Sequence, residues 1–143
     1  MPVTPGEAVE LGRVDGVADL RVRLGFGREA AWGLRIATSA DGAECLDMEI
    51  RNGRLTVDRG PRLTRPAVPR RGVRMPLPEA EPGRTIELRV LLDRSITEVF
   101  TDSGETLTLR FYPTGGGPWT LLSRGLAAGD VHLDPEAYTL RTP

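Results

Sequence analysis

Thr85-Ile86-Glu87-Leu88-Arg89-Val90-Leu91-Leu92-Asp93-Arg94-Ser95-Ile96-Thr97-Glu98-Val99-Phe100-Thr101-Asp102-Ser103-Gly104-Glu105-Thr106-Leu107-Thr108-Leu109-Arg110-Phe111-Tyr112-Pro113 is a long region with no internal proline and a single glycine. Ile86, Leu88, Val90 and Leu92 alternate with Glu87, Arg89 and Leu91, which places one apolar row on one face of a strand. Leu107, Leu109 and Phe111 repeat the pattern beyond Asp102-Ser103-Gly104. Three strands joined by two tight turns, a β-meander, are expected here.

Outward from the meander the same period recurs. Leu20, Val22, Leu24 and Phe26 alternate with Arg21, Arg23 and Gly25, and Trp32, Leu34 and Ile36 follow after Gly27-Arg28-Glu29. Between Ser39 and Gly53 a helix competes with a strand. Ser39 or Asp41 could cap a helix, and Ala43, Leu46 and Ile50 have helical spacing. A hairpin through Asn52-Gly53 instead sets Ile50 opposite Leu55 and Met48 opposite Val57, so both arms show apolar rows to one face, and the hairpin is preferred. Its cost is Arg51 opposite Arg54.

Residues 58–84 hold six prolines and seven arginines and read as an extended surface connection. An edge strand through Val73, Met75 and Leu77 fits there, since Pro76 and Pro78 prevent pairing on one side. Short strands are expected at Ala8–Leu11, at Trp119 and Leu121, at Val131 and Leu133, and at Tyr138 and Leu140. About ten short strands and no helix predict an all-β, two-sheet antiparallel sandwich. Residues 1–6 read as a linker or frayed entry, and residues 7–143 as a single β-sandwich domain.

Composition narrows function by exclusion. A chain of 143 residues fits one domain. A net charge of -1 disfavours a nucleic-acid partner. All nineteen basic residues are arginine, which a GC-rich coding bias explains. Cys45 is the single cysteine and His132 the single histidine, so neither a disulfide nor a Cys/His metal site is expected, and no cofactor is implied. No signal peptide or membrane-spanning run is seen, which reads as a soluble chain with no membrane partner. It would be cytoplasmic if complete, and extracellular if it is a fragment of a secreted enzyme.

Asp93-Arg94-Ser95 followed by Glu98-Val99-Phe100, a polar turn and Phe111-Tyr112-Pro113 resembles the signature of the C-terminal β-sandwich module of glycoside hydrolase family 32. That family contains invertases, levanases, inulinases and sucrose-6-phosphate hydrolases. The resemblance implies a sandwich of the concanavalin A or lectin-like type. Retaining hydrolysis needs two carboxyl groups about 5–5.5 Å apart, and in this family they belong to an N-terminal five-bladed propeller with Asn-Asp-Pro, Arg-Asp-Pro and Glu-Cys motifs. Neither Asn-Asp-Pro nor Arg-Asp-Pro occurs here, so no catalytic residue is assigned and no hydrolase activity is expected of the chain alone. Glu44-Cys45 reproduces one dipeptide, and Glu44 is expected to be a solvated turn carboxylate.

The signature residues Asp93, Arg94, Ser95, Glu98 and Phe100 are expected to be structural. Asp93 and Ser95 would accept from turn amides, Arg94 or Arg89 would pair with Glu98, and Asp93→Ala would lower stability. Tyr112, Trp119 and Trp32 are the candidate carbohydrate contacts. The two tryptophans also fit the core. The arginines of 58–84 are a candidate anion site, with a solvated loop as the default, and His132 should point outward from a strand. The implied role is an accessory or remnant module of a fructoside-hydrolysing enzyme, packed on a propeller in cis or in a separate chain, with homodimerisation and fructan or sucrose as further candidate partners. The alternative is a stand-alone lectin-like carbohydrate-binding module.

Overall fold

The computed structural model describes residues 2–59, 73–77, 83–102, 104–111, 113, 118–126, 131–134 and 139–141. Among these residues there are thirteen strands and no helix. They are β1 (Pro2–Val3), β2 (Ala8–Val14), β3 (Val17–Phe26), β4 (Ala31–Ala37), β5 (Cys45–Arg51), β6 (Arg54–Arg59), β7 (Val73–Pro76), β8 (Thr85–Asp93), β9 (Ile96–Thr101), β10 (Thr106–Arg110), β11 (Trp119–Gly125), β12 (Val131–Leu133) and β13 (Thr139–Arg141). A seven-stranded sheet runs β1-β12-β3-β8-β9-β10, with β13 also on β3, and a six-stranded sheet runs β2-β11-β4-β5-β6-β7. This is the expected two-sheet sandwich. Its strand number exceeds the expected ten partly through β1, too short to show a period.

Alternation decides which side chains meet between the sheets. Along β8, Ile86, Leu88, Val90 and Leu92 are buried, and along β3, Leu20, Val22, Leu24 and Phe26 are buried with Arg21 and Arg23 exposed. The six-stranded sheet answers with Trp32, Leu34, Ile36, Leu46, Met48, Ile50, Leu55, Val57, Trp119 and Leu121. The Phe111 and Trp119 rings meet with centroids 5.7 Å apart and planes tilted by 54°, an arrangement that adds about 0.5–1.5 kcal/mol to burial. Inside the core, Trp32 Nε1 donates to Ser123 Oγ at 2.8 Å, so the indole is buried with its polar atom satisfied.

The β5–β6 hairpin has the register read from the sequence, with Ile50 opposite Leu55, Met48 opposite Val57 and Arg51 opposite Arg54. Asn52 and Gly53 take φ of 52° and 71°, the left-handed pair that a two-residue hairpin turn requires. β7 ends the sheet, paired on one side with β6. The Leu77 amide donates to Gly53 O at 2.7 Å. Because amides alternate along a strand, position 76 faces away from β6, and Pro76 has no N–H to offer there.

Residues 2–6 are not a loose entry. Pro2 pairs with His132 and Val3 with Val131, and Pro5 bridges to Gly125 in the other sheet. The Gly6 amide donates to Gly125 O at 3.0 Å, and the Gly125 amide to Glu7 O at 3.1 Å. The prolines remove donors but leave carbonyls, so a Pro-rich segment is held through the glycines beside it. A Cβ on Gly125 would overlap the Thr4 carbonyl. Gly125→Ala is therefore expected to release residues 2–7, seen as faster amide exchange at Gly6 and Glu7, and to cost about 1–3 kcal/mol of unfolding free energy in urea. Unchanged exchange would show the strap to be unimportant.

Candidate functional site

The signature turn lies between β8 and β9, with Asp93 opposite Ile96. Arg94 has a φ of 54°, a left-handed conformation that costs a non-glycine residue about 1 kcal/mol. Backbone bonds hold it. The Arg94 amide donates to Gly16 O at 2.7 Å, and Ser95 O accepts from the Phe111 amide at 2.9 Å. The turn thus joins the β2–β3 turn to the end of β10.

Asp93 and Ser95 do not fasten the turn with their side chains. Among the described residues neither side chain has a hydrogen bond, and Asp93 is exposed. Nor does either arginine pair with Glu98. Arg89 stands opposite Phe100 rather than Glu98. Its Nε and Nη2 donate to Asp19 Oδ1 and Oδ2 at 3.0 and 2.8 Å, and this fork raises the Arg89 pKa. In β9, Thr97, Val99 and Thr101 are buried, so Ile96, Glu98 and Phe100 point outward. The signature side chains face away from the core.

Trp32 and Trp119 are each 1% exposed, so neither ring can stack on a sugar. Tyr112 lies outside the described residues, as do Tyr138 and residues 60–72 and 78–82 of the arginine- and proline-rich connection. His132 is exposed on β12, as expected of an outward strand residue. Among the described residues no group of three His, Cys, Asp or Glu could hold a metal ion.

Glu44 departs furthest from expectation, being 1% exposed rather than solvated. The β4–β5 connection folds back on itself. The Thr38 amide donates to Glu44 O at 2.8 Å, Thr38 Oγ1 donates to Glu44 Oε1 at 2.6 Å, and the Glu44 amide donates to Ser39 Oγ at 3.0 Å. Asp41 Oδ1 accepts from Ser39 Oγ at 2.7 Å and from the Ala43 amide at 3.0 Å. Enclosed this way, the carboxylate cannot reach a glycosidic bond. Beside the connection an open groove of about 480 Å³ is lined by residues that include Arg13, Thr38, Ser39, Asp41, Thr120 and Leu122.

A charge cluster on the outer face of the six-stranded sheet was not anticipated. Arg35 Nε and Nη2 donate to Asp47 Oδ1 and Oδ2 at 2.8 and 3.0 Å, and Arg124 Nη1 donates to Oδ1 at 3.3 Å. The hydrogen bond to Asp47 raises the Arg35 pKa. Arg35 and Asp47 alternate outward in sequence, but Arg124 joins only because β11 pairs with β4. Cys45 lies alongside with Sγ 3.8 Å from Asp47 Oδ2, and burial, then the Asp47 charge, push its thiol pKa up.

Asp93→Ala is now expected to change unfolding free energy by no more than about 0.5 kcal/mol. Glu44→Ala should cost about 1–3 kcal/mol, since it removes the carboxylate that accepts from the buried Thr38 hydroxyl at 2.6 Å and leaves that hydroxyl only the 3.2 Å bond to the carbonyl of residue 44. Urea titrations of both would reverse the assignment if their order were opposite. A raised Cys45 pKa favours the folded state at low pH, fully below the unfolded thiol value of about 8.5 and progressively less as pH rises through the folded value. The native thiol should thus react with a disulfide reagent at pH 8 far more slowly than the unfolded chain. Equal rates would contradict its burial.

Residues 6–132 match the family described as glycosyl hydrolases family 32 C terminal. No curated protein matches the sequence. Among solved structures, a fructosyltransferase from A. japonicus is 16% identical with a TM-score of 0.78, over 98% of this chain and 25% of its own. Fructan 1-exohydrolase IIa from Cichorium intybus is 18% identical with a TM-score of 0.70, over 91% of this chain and 32% of its own. Sheep galectin-11 is 11% identical with a TM-score of 0.69, over 97% of this chain and 99% of its own. The chain thus spans about a quarter to a third of the two enzymes, and all three likenesses concern the fold. With the match running through nearly every strand and across the signature turn, the chain belongs to the glycosyl hydrolase family 32 C-terminal domain family.

Proposed function

We propose that the chain is a non-catalytic accessory or remnant module of a β-fructofuranosidase-type glycosidase, docking on and stabilising a catalytic five-bladed propeller supplied in cis or by another chain. The carrying observation is the family match over residues 6–132, joined to a chain that spans only 25–32% of the solved fructan-active relatives. The carboxylates support the same reading. Glu44, in the one catalytic-type dipeptide, is enclosed by its own connection. Asp19 and Asp47 are engaged by arginines.

The purified 143-residue chain is expected to release no fructose from sucrose, inulin or levan. Added to a family 32 propeller prepared without its own C-terminal domain, it should raise the propeller's Tm, since ligand at a hundredfold excess over Kd stabilises a native state by about 2.7 kcal/mol. Hydrolysis by the chain alone, or an unchanged propeller Tm, would sink the proposal. Saturable calorimetric binding of levan, inulin or sucrose would favour the lectin-like alternative.

A further inference from the structure

Gly25 is a glycine that neither the backbone nor the packing of β3 requires. Its φ is not in the left-handed region, and a Cβ built there would meet nothing closer than His132 Cβ at 3.9 Å and Thr85 Oγ1 at 4.0 Å. It is paired on both sides, with His132 of β12 and Thr85 of β8. A glycine inside a paired strand weakens it, and where no bulge or turn explains it, it marks a close approach to the backbone. Gly25 lines a groove of about 440 Å³ at this end of the seven-stranded sheet, within the roughly 300–1,000 Å³ of small-molecule sites.

Polar side chains border that glycine floor. His132 and Thr85 stand beside Gly25 in register, and both are exposed. Arg84 lines the same groove, and backbone bonds set its position: the Phe26 amide donates to Arg84 O at 3.4 Å, and the Gly83 amide to Phe26 O at 3.0 Å. Among the described residues, no Asp or Glu lines the groove. The next outward residue of β8, Glu87, contacts Arg23 at 3.4 Å, and Asp134 contacts the same arginine at 3.6 Å. A guanidinium carries five N–H donors, so Arg84 can hold an oxyanion alongside another partner. Arg84 is also the last arginine of the proline-rich connection, the stretch whose composition suggested an anion site.

We infer that this groove holds a phosphorylated sugar, with the ring over Gly25 and the phosphate against Arg84, Thr85 and His132. A phosphate monoester presents three acceptor oxygens, which suits three side-chain donors better than a carboxylate does. Arg84 supplies a permanent charge and a fork of donors. The glycine floor lets the ring lie against the strand where a side chain would exclude it. This site goes beyond docking on a propeller and does not depend on it.

The test is calorimetric titration of the 143-residue chain with fructose-6-phosphate, fructose and inorganic phosphate. Fructose-6-phosphate should saturate the chain and bind more tightly than either of the other two. Gly25→Val should abolish this binding while Tm stays the same or rises, since a β-branched residue suits a paired strand and fills the groove floor. Arg84→Ala should weaken it about tenfold or more, as loss of a charge-assisted hydrogen bond does. Arg21→Ala, an exposed arginine of β3 outside the groove, should bind like the unaltered chain. If Gly25→Val does not fold, Arg84→Ala carries the test. The site is overturned by absence of saturation with fructose-6-phosphate, by unchanged binding in Arg84→Ala or a folded Gly25→Val, or by an equal loss in Arg21→Ala. Fructose or inorganic phosphate binding as tightly as fructose-6-phosphate would overturn the ligand. None of these outcomes bears on docking, which the propeller's Tm reports separately.

Discussion

The nine-pair ladder between β3 and β8, from Val17–Asp93 to Gly25–Thr85, is the pairing on which the rest of the fold depends. Even its pair closest in sequence, Gly25–Thr85, joins residues 60 positions apart, the kind of contact that makes β-sandwiches slow to form. Once made, β8 brings the meander to one side of β3, and β12 and β13 find the other side already positioned. The ladder also sets the β2–β3 turn against the β8–β9 turn, which is how the Arg94 amide comes to meet Gly16 O. Arg94 can keep a left-handed backbone because its turn is fixed by backbone bonds to the β2–β3 turn and to the residue that follows β10.

Much of this fold was legible in the sequence for a simple reason. A half-buried strand must alternate, and β3, β8 and β10 do so without interruption. Asn52-Gly53 carried its own register, since only one turn geometry suits that dipeptide and only one pairing keeps both arms apolar on the same face. The first residues were misread because proline-rich composition signals a loop. Nothing local reveals that Gly125, far along the chain, accepts and donates to their backbone.

Side-chain roles were harder to read than strands. Asp93 and Ser95 have the right chemistry to fasten a turn, yet the backbone does that work and leaves them outside. Glu44 has the look of a surface residue, and only the folding back of the β4–β5 connection shows that the Thr38 hydroxyl and amide and the Ser39 hydroxyl enclose it. The Arg35–Asp47–Arg124 cluster needed a non-local fact, the pairing of β11 with β4, before its third member could join. Spacing along the chain tells which face a residue occupies. It does not tell which neighbour from a distant strand shares that face.

Pro76 has a consequence for how copies of this domain coexist at high concentration. A terminal strand whose outward amides are intact is a template on which another chain can polymerise in register, the first step of fibril growth. β7 is short, its outward donor row is broken at Pro76, and Arg74 projects a charge one alternation earlier. An incoming strand would meet a missing hydrogen bond at the last residue of β7 and a cation two residues before it. The six-stranded sheet therefore resists extension at this border through its own covalent chemistry, whether or not another domain is there to shield it.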